Sequence, residues 1–157
     1  MKIVLLSVGK AHETYVQQGI QDFTKRLNNY FNADWHIIAP LKNAASLSIQ
    51  ETKLQEGKLI LQHILQDDYL VLLDERGKEF SSAQLANFIQ QRANESTKRL
   101  VFLIGGAFGV SEEIFKKANC VWSLSQLVFP HMLVRLILAE QLYRACTILR
   151  NEKYHHV

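Results

Sequence analysis

Arg99-Leu100-Val101-Phe102-Leu103-Ile104-Gly105-Gly106-Ala107-Phe108-Gly109 is the stretch on which the reading of this chain turns. After its opening arginine it runs apolar with no polar alternation, the pattern of a strand covered on both faces in a parallel sheet. The glycines that follow permit a tight turn and let backbone come close to a ligand. Ser111-Glu112-Glu113 then opens a helix, with a capping hydroxyl and two acids at the end that favours negative charge.

Working outward, the same unit recurs. Lys2–Val8, Asp34–Ile38, Tyr69–Leu73, Arg99–Ile104 and Val121–Leu124 read as five buried strands. Between them lie helical patterns. Tyr15, Val16, Ile20, Phe23, Leu27 and Tyr30 recur at steps of three and four, as do Leu54, Ile60, Leu61, Ile64 and Leu65. Ser81-Ser82 caps a further helix to about Arg92. Polar connectors are expected at Leu41–Ser48, Asp74–Lys78 and Gln126–Pro130. Strand–helix alternation of this kind predicts an α/β fold, a mainly parallel sheet flanked by helices with right-handed crossovers. The last helix, about His131 to Arg150, is apolar on more than one face, so it is either central to the fold or packed on a second copy of the chain; with five strands already needing cover, the second is the favoured reading. Within it Glu140 and Arg144 stand four apart and can pair.

Composition bounds the function. A chain of 157 residues fits one domain, 1–157, and 48% hydrophobic with 21% charged residues predicts a folded globule. No apolar run reaches the roughly 18 residues of a membrane span. The basic-then-apolar start is too short for a signal peptide, so a first strand and a cytoplasmic location are expected. Cys120 and Cys146 form no C-x-x-C pair and read as buried thiols. The histidines show no metal spacing, and the adjacent pair His155-His156 is poor geometry for one tetrahedral site, so no metal is expected. A net charge of +3 permits an anionic partner without demanding one. G-x-S-x-G, Walker and HExxH motifs are absent, which leaves nucleophilic hydrolysis, P-loop chemistry and zinc proteolysis without support.

Three loops follow strands, where open α/β sheets bind ligands. Gly105-Gly106-Ala107-Phe108-Gly109 is either a structural turn or a cofactor turn. Its late position and the acids Glu112 and Glu113 disfavour a dinucleotide, whose pyrophosphate would meet them at the helix start. Leu73-Asp74-Glu75-Arg76-Gly77-Lys78 reads better as a charged turn than as a catalytic carboxylate pair. Ser123-Leu124-Ser125-Gln126-Leu127-Val128-Phe129-Pro130-His131 ends by starting a helix, which places His131 in a first turn whose dipole favours the neutral imidazole. Tyr154-His155-His156 is a tail, yet carries residues suited to holding an unstacked base.

Taken with Ala139-Glu140-Gln141-Leu142-Tyr143-Arg144-Ala145, Pro130-His131-x-Leu133-Val134-Arg135 and Tyr154-His155, these segments resemble, end to end, the RlmH family. These are SPOUT-class methyltransferases that modify a pseudouridine in bacterial 23S rRNA. The resemblance implies a C-terminal trefoil knot, a homodimer, and S-adenosyl-L-methionine held by Leu73, Gly105, Gly106, Gly109 and the run Leu124, Ser125, Gln126, Leu127, Val128, Phe129 and Pro130. It implies methyl transfer to N3 of the pseudouridine; on that footing His131 and Arg144 are expected to orient or stabilise the base and Tyr154 and His155 to close the site from the partner chain, while the modest charge of one chain suggests the assembled ribosome as substrate. His156 stands where relatives commonly carry arginine. Two other readings of the residues remain: a non-catalytic α/β module binding nucleotide or RNA, and a small NAD-type oxidoreductase.

Overall fold

The computed structural model describes residues 1–156. Strands β1 (Lys2–Val8), β2 (Asn32–Ile38), β3 (Tyr69–Glu79), β4 (Arg99–Ile104) and β5 (Cys120–Ser123) form one sheet in the order β2-β1-β4-β3-β5. All four pairings are parallel. Helices α1 (Thr14–Leu27), α2 (Ile49–Leu61), α3 (Ser82–Asn94), α4 (Glu112–Lys117) and α5 (His131–Leu149) cover both faces.

The two-residue period of the strands divides their side chains between two cores. Ile3, Leu5, Val71, Leu100 and Phe102 pack with Leu27 of α1, Leu85 and Ile89 of α3, and Leu138 and Leu142 of α5. Val4, Leu6, Leu70, Leu72, Val101 and Leu103 pack with Ile60 of α2 and Ile114 of α4. Burying each such aliphatic side chain contributes about 2 kcal/mol. This is why the strands read as unbroken apolar runs.

Serine hydroxyls start three helices. Ser48 and Ser81 each form a reciprocal capping box, with Glu51 and Gln84. The Ser111 hydroxyl accepts from the Ile114 N–H. The apolar stripes are narrower than their spacing suggests. Tyr15, Leu54 and Leu65 are exposed, and Tyr30 and Leu65 lie beyond the helices that end at Leu27 and Leu61.

One connector is a correction. Asp74–Lys78, expected as a loop, belongs to β3, which runs on to Glu79. Its pairing with β4 stops at Leu73↔Ile104, while Leu73 and Lys78 both pair with Trp122 of β5 around a bulge. Beyond Leu73 the strand has a neighbour on one side only, so it carries polar residues and loses the buried-strand signature. The other expected strands hold with shifted ends: Asp34–Ile38 begins at Asn32, and Val121–Leu124 becomes Cys120–Ser123. A short 3-10 turn, Ala44–Ser46, interrupts the connector Leu41–Ser48.

From β4 the chain crosses beyond β3 to reach the edge strand β5, and α5 then returns to pack on α1 and α3. Seven residues of α5 are buried, among them Arg135. Met132, Leu133, Leu136 and Ile137 are only half-buried. Cys146 is buried and Cys120 half-buried, both as free thiols. No described helix is long and apolar enough to cross a membrane.

Candidate active site

A cavity of about 600 Å³ opens at the carboxyl ends of β4 and β5 and beside the stretch of β3 that has parted from β4. Leu73 to Arg76, Ile104 to Val110 and most of Ser123 to Phe129 form its walls, and His131 and Val134 of α5 close one side. Of the residues expected to hold a cofactor, Leu73, Gly105, Gly106, Gly109, Leu124, Ser125, Leu127, Val128 and Phe129 line it. Gln126 and Pro130 sit on the same loop without facing the cavity.

Each wall has a local cause. The Gly109 N–H donates to the Gly106 carbonyl at 3.0 Å, and Gly109 takes φ +82°, a left-handed conformation that a side chain would strain. In the third loop the Ser123 hydroxyl donates to the Ser125 carbonyl, and the Ser125 hydroxyl accepts from Leu127 N–H, each at 3.0 Å. These bonds turn Leu127 and Val128 outward, 71% and 84% exposed, so that with Phe108 they give the cavity an apolar rim. Trp122 also lines the cavity, and its buried Nε1 has no partner among the described residues.

On β3 the Asp74 carboxylate accepts from Arg76 Nε at 2.8 Å and Nη2 at 2.9 Å. These bonds hold Asp74 below the usual carboxylate range. The guanidinium lies 4.2 Å from the Phe115 ring centre. Asp74 and Glu75 are therefore not an acid–base pair: the first is consumed by Arg76, two residues further along β3.

His131 occupies the first turn of α5 and faces the cavity. Its imidazole is held below its ordinary range, first by burial and then by the nearby Arg135 charge. The expected preference for the neutral form therefore rests on these two causes. Arg135, one turn further on, is fully buried. It donates to the Ser7 hydroxyl at 2.9 Å and the Lys10 carbonyl at 2.8 Å, with His12 Nδ1 at 3.3 Å. No carboxylate pairs with it among the described residues. Sequence reasoning passed over this role; the available signal was an arginine one turn after His131 in an otherwise apolar stretch.

Arg144, Tyr154 and His155 form a second cluster around Glu140. Glu140 Oε1 accepts from Arg144 Nη2 at 2.6 Å and Nε at 3.0 Å, and from the Tyr154 hydroxyl at 2.9 Å. Arg144 lies over the Tyr154 ring at 4.7 Å and meets His155 Nδ1 at 3.4 Å. The expected Glu140–Arg144 pair is thus the hub that gathers the tail. Burial first, then the Glu140 bond, pushes the Tyr154 phenol up. None of these three residues lines the cavity of its own chain. The expected catalytic residues therefore fall into two groups, His131 at the cavity and the other three toward the far end of α5.

A parallel sheet with a glycine turn, a serine-pinned loop and a cavity shared by three neighbouring strands defines an α/β protein of the ligand-binding type. Residues 1–155 match the model of the family described as "Predicted SPOUT methyltransferase", and the chain belongs to that family. It is 47% identical to the ribosomal RNA large subunit methyltransferase H of Flavobacterium psychrophilum, over 99% of both chains. With the proteins of the same name from Flavobacterium johnsoniae and Parabacteroides distasonis it shares 48% and 44% identity, again over 99% of each. Among solved structures, a probable methylase family protein from Haemophilus influenzae superposes with a TM-score of 0.53 at 11% identity, covering 97% of this chain and 67% of that one. That likeness speaks to the fold alone.

Proposed function

We propose that this protein transfers a methyl group from S-adenosyl-L-methionine to N3 of a pseudouridine in 23S rRNA of the large ribosomal subunit. The observation that carries the reading is the convergence of three sequence-distant segments, the bulged stretch of β3 and the loops after β4 and β5, on one cavity, in a chain of this family.

The residues present suit that donor. The apolar rim of Phe108, Leu127 and Val128 offers surface to an adenine, and the unpartnered Trp122 Nε1 is a donor awaiting an acceptor. The loops need satisfy no phosphate, so the acids at the start of α4 raise no conflict. When bound, the donor supplies an electrophilic methyl on a sulfonium. Leu73, Gly105, Gly106, Gly109, Leu124, Ser125 and Leu127 to Phe129 would hold it in the knotted C-terminal region.

For the transfer, the N3 proton would pass to water and the resulting anionic base would take the methyl, the sulfonium becoming a neutral thioether. The chain's work is to position the base in line and to favour its anionic form. His131, kept neutral, is suited to one orienting hydrogen bond. Arg144 is suited to the anion, and Tyr154 and His155 to stacking and closure. Since this cluster stands far from its own cavity, it serves the cavity of a partner in a homodimer. The modest net charge of +3 favours a structured cytoplasmic substrate, the assembled ribosome, contacted by both subunits.

The test is a mass map of rRNA nucleosides from cells lacking the gene. Loss of one methyl from a single pseudouridine is expected, and unchanged rRNA would leave a mere binding module. Calorimetry should find S-adenosyl-L-methionine bound and NAD ignored.

A further inference from the structure

We infer that Glu56 supplies the negative charge that recognises a cationic centre of the methyl donor, acting from behind the glycine turn. This inference rests on the donor reading above and adds a residue to it.

The geometry starts at Gly106, which lines the cavity. A Cβ there would run into Glu56 Oε2, and would lie 2.9 Å from Oε1. The carboxylate therefore fills the volume that a side chain at position 106 would take. Glu56 itself does not line the cavity; it abuts Gly106, which does. The orientation of α2 agrees. Lys53, one turn earlier on the same face, itself lines the cavity, and a Cβ at Gly57 would lie 2.9 Å from the Ser111 hydroxyl.

Glu56 is also unspent. Among the described residues its carboxylate makes no hydrogen bond and no ion pair, whereas the Asp74 carboxylate is taken by Arg76. Burial pushes the Glu56 carboxyl up, as expected for a charge losing water without gaining a partner. A partly buried carboxylate without a partner is stabilised when a cation comes near. The donor brings two, a sulfonium and an ammonium. The demethylated product, S-adenosylhomocysteine, keeps only the ammonium, and 5′-methylthioadenosine carries neither.

The experiment is calorimetry of the full-length protein and its Glu56→Gln variant with these three compounds. The variant should bind S-adenosyl-L-methionine ~10-fold more weakly, while 5′-methylthioadenosine stays within about twofold. A matching loss for S-adenosylhomocysteine assigns the recognition to the ammonium; an unchanged value assigns it to the sulfonium. Equal weakening of all three, or no weakening of the donor, overturns the inference. If the wild-type protein binds none of the three, the donor reading itself fails and this inference goes with it.

Discussion

His131 and Arg144 stand thirteen residues apart on α5, which separates them by about 20 Å along the helix axis. One helix thus carries a group at the cavity and another group too far away to reach it in the same chain. Mixing two impaired variants tests the consequence. His131→Ala and Arg144→Ala chains, unfolded together and refolded as mixed dimers, should regain about a quarter of wild-type methylation, because half the dimers are mixed and each holds one intact site. No recovery would mean that each chain works with its own cluster.

The Glu140 hub should matter more to turnover than to folding. Its ion pair with Arg144 is partly exposed, with side chains 26% and 18% accessible, and is worth about 1 kcal/mol. Arg144→Ala and Tyr154→Ala should each lower methylation ~10-fold or more. Thermal unfolding should shift by only a few degrees. Wild-type turnover in both variants would refute their role at the base.

Arg135 offers the opposite contrast. Arg135→Ala empties a fully buried site and strips the Ser7 hydroxyl and Lys10 carbonyl of their donor, at a cost of about 4 kcal/mol. Arg135→Met refills the volume and removes an unpaired buried charge, so urea unfolding should show roughly half that loss.

Acid should destabilise the protein through two histidines. Burial first, and then Arg135, lowers the native pKa of both His12 and His131 from an ordinary 6.5. Above pH 6.5 both are neutral in either state and nothing is lost. As the pH falls below 6.5 the unfolded chain takes up protons that the native chain refuses, so stability drops until the native values are passed. Urea midpoints at pH ~7.5 and ~5.5 should differ less in the His12→Gln, His131→Gln double variant than in the wild type.

Cys146 should be inert in the native protein. It is buried, and its thiol is pushed from 9.0 up to about 12, mainly by burial. Alkylation at mild alkaline pH should spare Cys146 and proceed at this position once urea is added. Rapid native labelling would show that the end of α5 opens.

Legibility followed burial. Strands covered on both faces, such as Lys2–Val8 and Arg99–Ile104, were readable to the residue, because each position meets the same apolar surroundings. The extension of β3 past Leu73 was not, since a strand paired on one side only tolerates the residues of a turn. Among the site residues, loop positions after strands were readable from glycine, serine and proline chemistry. Glu56 was hidden, because its approach to Gly106 joins α2 to a turn about fifty residues away. Arg135 reads on paper as one more cation, and only its neighbours reveal a buried one.

By itself the sequence determined the strand–helix alternation, the parallel sheet, the capped helix starts and the loops after β4 and β5, since each is encoded in neighbouring residues through periodicity and turn chemistry. The family resemblance was legible there too, in the order of its motifs. Only the tertiary structure decided that the loops share one cavity, that Asp74 is spent on Arg76, and that His131 and Arg144 stand apart. Those outcomes depend on strand order and on the pitch of one helix, which bring together or separate residues that no local pattern connects.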